Sequence, residues 1–221
     1  MTIALSAVGV LLAALAILLI HFARRLDRLH TALMKSRRAL EHALSARATA
    51  AHDFAASAGL DPASSLLLAE AADTCLRQGM KPIASDGLDA AVHSRGAAGA
   101  ATALKPDLAQ ERRLAGERVA AESALTRTLR LTADELAEIE GLDPTGTLPV
   151  QSDTTGFDVH SEEQMALFSA LQRSRLDVKM TRSFHNSHVD QIRRLRRNPL
   201  VRIFHLAGGA PVPQTVDLDD E

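Results

Sequence analysis

Two histidines three residues apart, His185 and His188 in the run FHNSHVD, have the spacing in this sequence best suited to chemistry. On a helix that interval sets both imidazoles on one face, where neutral ring nitrogens could hold a transition metal. Zinc takes three or four protein ligands, and only distant His160, Asp190 or a residue from another helix is left to complete such a set. The pair therefore reads as a buried polar seam, with Asn186 between them as a packing or capping group, and neither metal nor cofactor is expected. Isolated serines and scattered carboxylates give no triad, so nucleophilic catalysis finds no support and the chain is read as non-enzymatic.

The second constellation is basic. Arg193, Arg194, Arg196 and Arg197 form the run RRLRR, and Arg202 follows shortly after. Such a run can neutralise the negative end of a helix macrodipole or contact anionic lipid. Nucleic acid is not expected as a partner, because helix-turn-helix, zinc and aromatic signals are all missing. With no Tyr or Trp and 3% aromatic residues, stacking surfaces and aromatic-lined ligand pockets are both disfavoured. The formal net charge of -2 leaves any electrostatic argument to these local patches. The single cysteine, Cys75, cannot form an internal disulfide and reads as a small buried hydrophobe.

The elements that must carry these residues are helical. From Ile3 to Ile20 the chain is apolar and uncharged, long enough to cross a hydrocarbon core of about 30 Å. Arg24, Arg25, Arg28, Lys35, Arg37 and Arg38 all follow that run, so the positive-inside rule places the N-terminus outside and the remainder in the cytoplasm. A cleaved signal peptide would instead need basic residues ahead of the apolar stretch. Leu26, Leu29, Leu33, Leu40 and Leu44 then continue one amphipathic stripe, a seam that a coiled coil or homo-oligomer could also use.

Gly59, Asp61 and Pro62 mark a tight turn into a second helix over 62–78. A third helix is expected from Pro106 to about Arg130, with Glu111, Arg112, Glu117 and Arg118 facing outward. Thr132 with Glu135 reads as a capping box for a short helix ending at Gly141, and residues 141–160 read as loop. A fourth helix runs from Ser161 to about Arg197, stopped by Pro199, and the apolar segment Leu200–Leu206 either docks on the bundle or lies at the membrane interface.

At this point the segment TRSFHNSHVDQIRRLRR resembles the RRFYNDAV region of LemA-family membrane proteins, and LAGGAPVPQ after it resembles an actinobacterial branch of that family. RLDRLHTAL, GLDPASSLLLAEAA and ERVAAESALTRTLR are similar to other parts of that branch, so the resemblance covers about two thirds of the chain. His185 stands where the family usually has Tyr and Ser187 where it usually has Asp. The resemblance implies a bacterial, membrane-anchored antiparallel helical bundle and supplies no reaction. Members of this branch can carry Nudix-type hydrolase labels, which imply carboxylates gathered on a divalent cation. The nearest acidic run, Glu135, Glu138 and Glu140, lacks the Arg-Glu core of that motif.

The expected fold is thus all-α, with an N-terminal transmembrane helix continuing into an antiparallel bundle of about four helices. Its organisation is an anchor over 1–22, a stalk helix and second bundle helix over 23–78, a flexible loop over 79–105, C-terminal bundle helices with an internal loop over 106–206, and a disordered acidic tail over 207–221. The expected role is a single-pass scaffold or interaction module at the cell membrane. Its partners would be the lipid bilayer and another membrane or envelope protein. The alternatives are a divergent metal-dependent hydrolase and an anionic-lipid-binding, membrane-organising module.

Overall fold

The computed structural model describes residues 2–57, 59–86, 108–134, 159–208 and 212–219, and the side chains of 2–5, 7, 108 and 159–161 lie outside that description. Helix α1 spans Thr2–Ala56 without a break. Its interior holds one glycine, Gly9, and no proline, so nothing interrupts the hydrogen-bond ladder over a length of about 80 Å. One window near its start is long and apolar enough to cross a membrane, and none of that window is buried inside the protein.

Helix α2, Pro62–Gln78, begins where the Gly59–Asp61 turn predicts. The Asp61 carboxylate accepts from the amides of Ala63 (3.0 Å) and Ser64 (3.1 Å), satisfying two of the four donors a helix start leaves open. Ser65 donates its hydroxyl to the Ala55 carbonyl, which ties α2 back to the end of α1. Helix α3 covers Leu108–Leu129 and continues through a π-helical turn, Arg130–Asp134. Helix α4 covers Val159–Arg196, and a short α5, Pro199–Ile203, follows the Asn198 cap.

Among the described residues, the four long helices run up, down, up and down. Ser36 of α1 meets His185 of α4, while Leu26 shares a core cluster with Leu195 and Phe54 packs its ring on Phe168 at 5.7 Å. Each of these pairs sums to 221 or 222 in residue number, which is the signature of two antiparallel helices held in one register. Leu68, Ala72 and Cys75 of α2 join Ala51, Phe54, Leu125, Leu129 and Leu171 in the core farthest from the apolar window. The all-α antiparallel bundle expected from the helical spacing is the architecture found, and no strand occurs among the described residues.

Several expectations are corrected. Residues 79–86 belong to the body of the protein: Ile83 and Ala84 enter the core, and Asp86 is buried against Arg37. The remainder of the expected loop, 87–105, lies outside the described residues. The tail is likewise no disordered acidic segment over 212–219, where Val216 and Leu218 pack among Leu40, Leu44, Ile83 and Val178. Its acidic composition concealed an alternation in which these two face inward while Thr215, Asp217 and Asp219 face solvent.

Thr132 does not cap a new helix. It is buried in the π-helical turn, and its hydroxyl donates to the Thr128 carbonyl. Arg118 does not face outward but is 3% exposed, donating to the Lys81 carbonyl beside Glu41. Residues 135–158, which include most of the expected 141–160 loop, lie outside the described residues.

Candidate functional site

The C-terminal strap, residues 212–219, lies along α4 and is held by side chains spaced to match it. Arg193 Nε donates to the Pro213 carbonyl at 3.1 Å, and Arg182 Nη1 donates to the Leu218 carbonyl at 2.9 Å. Between them Asn186 reads one residue twice: its Nδ2 donates to the Val216 carbonyl and its Oδ1 accepts the Val216 amide, both at 2.9 Å. From Arg182 to Arg193 is eleven helical residues, about 16 Å of rise. From Pro213 to Leu218 is five extended residues, also about 16 Å. One face of α4 thus carries polar groups in step with an extended antiparallel backbone.

A buried polar centre lies beneath the strap. Arg37 Nη2 meets Asp86 Oδ2 at 2.6 Å, with side-chain exposures of 1% and 0%. The same carboxylate oxygen accepts the Gln214 amide at 3.2 Å, while Ser85 donates to the Gln214 side chain at 3.2 Å. His185 is fully buried beside this pair, with Nδ1 3.4 Å from the Ser36 hydroxyl. That hydroxyl itself donates to the Leu33 carbonyl at 2.8 Å. Burial, and after it the Arg37 guanidinium, pushes the imidazole down to about 4, against opposing contributions from the Gln214 backbone and Asp86. The ring is therefore neutral near pH 7 and serves as a hydrogen-bonding core group.

A second buried ionic pair keys α1 to α3. Arg47 Nη2 lies 2.9 Å from Glu122 Oε2, and its Nη1 donates to the Thr126 hydroxyl at 3.0 Å. The Cys75 thiol donates to the Ala121 carbonyl beside them, and burial, with Glu122 next, pushes its pKa up to about 12. A thiol so placed is a packing group and not a nucleophile.

The two histidines of the sequence pair part company. His188 is half-buried at the rim of an open recess of about 360 Å³, lined also by Ala32, Lys35, Ser36, Thr181 and Phe184. Asp190 is exposed, and His160 has no described side chain. Among the described residues, no group of three or more His, Cys, Asp or Glu is placed to hold a metal ion. Glu138 and Glu140, like Glu135, lie outside the described residues.

The five arginines also divide. Arg194, Arg197 and Arg202 are exposed, Arg193 is engaged by the strap, and Arg196 is half-buried with its pKa lowered by burial. Sequence reasoning missed Arg37, Asp86 and Arg182 as internal groups; a charged residue on an apolar stripe, as Arg37 is between Leu33 and Leu40, is the one signal that could have found the first. It also missed Leu176, Met180 and Phe184, which stand exposed four residues apart along α4 beside the recess.

No protein-family model matches this chain, and searches of characterised proteins and of solved structures give no significant match.

Proposed function

We propose that the chain is a membrane-tethered helical scaffold, a protein-interaction module without chemistry of its own; the LemA resemblance supports the anchored bundle and supplies no reaction. The observation that carries this reading is the continuity of α1: one helix presents an unburied apolar window at its start and supplies the bundle core from Leu26 onward. Leaving that window in water would cost on the order of 25 cal/mol for each Å² of apolar surface, whereas a bilayer accepts it. Arg24, Arg25, Arg28, Lys35 and Arg38 follow the window, and by the positive-inside rule this supports a bundle on the cytoplasmic side.

The face offered to a partner is the row Leu176, Met180 and Phe184 with the adjoining recess. An apolar segment of another membrane protein fits there, because the anchor restricts encounters to one surface and a helix packs naturally into such a row. Photo-crosslinking in native membranes tests this, with a benzophenone side chain at Met180, at Phe184 or at exposed Asp53 on α1. A discrete adduct from the first two positions and none from the third is expected. An adduct of two copies of the chain would make the occupant a second copy, and no adduct from any position would contradict the scaffold role.

A further inference from the structure

The antiparallel register of α1 and α4 fixes where the chain goes after α4 ends. Leu195 lies level with Leu26, so Pro199, at the start of α5, falls level with about Phe22. Val201 of α5 is 2% exposed in the same cluster as Leu26, and Phe22, Leu206 and Ala207 pack around it. Phe22 is two residues beyond Ile20, the end of the apolar run, a rise of about 3 Å; Leu26 is six beyond, about 9 Å. The headgroup layer of a bilayer is about 5–7 Å thick on each side. If α1 spans a membrane, α5 stands within that layer.

The chemistry on this part of the surface suits the layer. Ile203 is 67% exposed and Phe204 43% exposed, side by side at the end of α5, although Val201 next to them is buried. At about the same level along the bundle are six exposed arginines: Arg24, Arg25 and Arg28 from α1, with Arg194, Arg197 and Arg202 from the end of α4 and α5. Exposed Asp27 and Asp190 oppose them only in part. A pair of large apolar side chains set in a collar of guanidiniums is the composition of an interfacial membrane contact.

We infer that α5 and the turn after it form a foot that rests on the anionic headgroups of the leaflet from which α1 emerges, with Ile203 and Phe204 dipped into the interface. This foot rests on the anchored reading proposed above and deepens it: the bundle is held to the surface at two points and is not free to swivel on α1. The occupant is anionic phospholipid, matched by charge to the collar, and the contact orients the face of Leu176, Met180 and Phe184 relative to the membrane.

The absence of tryptophan and tyrosine makes a direct test available. Full-length protein carrying Phe204→Trp, with Ile203→Trp as a second probe, is reconstituted into vesicles of phosphatidylcholine alone or mixed with phosphatidylglycerol, containing lipids brominated either near the headgroup or deep in the acyl chain. Leu12→Trp in a parallel sample reports the anchor. The expected result is deep quenching of the Leu12→Trp probe in both vesicles, and shallow quenching with blue-shifted emission at position 204 that strengthens with phosphatidylglycerol. Arg194→Gln, Arg197→Gln and Arg202→Gln together should weaken that strengthening severalfold, since they remove half of the collar. A quenched anchor probe with water-like, unquenched emission at both 203 and 204 overturns the foot and leaves the anchor standing. An unquenched anchor probe overturns both, and phosphatidylglycerol dependence that is unchanged in the triple variant overturns the role of these three arginines.

Discussion

The Arg37 guanidinium meets the Asp86 carboxylate at 2.6 Å, with neither side chain open to solvent. The pair joins α1 to the segment after α2 and, through the Gln214 amide on the same oxygen, to the strap. Three stretches of chain far apart in sequence converge on one carboxylate. Asp86→Asn should cost about 3–5 kcal/mol, because it leaves the guanidinium buried without its counter-charge. Arg37→Met with Asp86→Leu should recover part of that loss, since two apolar groups carry no such penalty. Denaturant midpoints of the full chain in detergent check both, and an Asp86→Asn midpoint equal to wild type would show that the charge is not sealed.

Asn186 controls the strap. Asn186→Leu keeps the size of the side chain but strips both partners from Val216, at a cost of about 1–3 kcal/mol for groups left unpaired near the core. Hydrogen exchange of the Val216 amide should quicken by about tenfold or more, tenfold corresponding to about 1.4 kcal/mol of local stability. Unchanged protection would mean that Val216 and Leu218 hold the strap by burial alone.

His185 gives the bundle an acid-sensitive contribution. Its imidazole is held down at about 4 from an ordinary 6.5, so the unfolded chain takes up this proton first as the pH falls. The stability conferred by the neutral ring is fully present above about pH 6.5 and is lost as the pH drops through about 4, amounting to about 3 kcal/mol at most. Arg37, Asp86 and His188 face the same ring, and their charges set the balance. His185→Gln should be less stable than wild type near pH 7, with the difference shrinking toward pH 4 in thermal melts. A difference that stays constant across that window would contradict a buried neutral imidazole.

Cys75 should ignore thiol reagents. Burial raises its pKa to about 12, so almost no thiolate exists near neutral pH, and the residue is 2% exposed. Labelling of the folded protein should track global unfolding as denaturant is added, and fast labelling without denaturant would place the α2–α3 contact in a looser state.

How much of this was legible beforehand follows from which periodicities were long enough to register. The stripe from Leu26 to Leu44, and the Gly59–Pro62 stop, run over many residues, and α1, α2 and their turn follow them closely. The buried place of His185 was also readable, because it sits seven residues from both Val178 and Ile192 on one seam. The strap was not. Its inward set of Val216 and Leu218 is only two residues of alternation inside a Pro-rich, acidic stretch, and what holds it is side chains of α4 matched in rise to an extended backbone. Asp86 was hidden for a similar reason: among Gly, Pro and Ser its sequence reads as loop, and only the fold brings Arg37 to it.

The central claim, a bundle tethered to the cytoplasmic face by α1, is tested most directly by thiol accessibility. Ser45→Cys places a reactive thiol on the exposed side of α1 beyond the anchor, while Cys75 stays silent in the folded chain. Intact cells are treated with a membrane-impermeant maleimide before and after the membrane is opened, and the membranes are then washed with alkaline carbonate. Protection in intact cells, labelling after opening and retention through the wash are predicted. Labelling of intact cells would put the bundle on the opposite face, and release into the wash would mean that α1 does not anchor the chain.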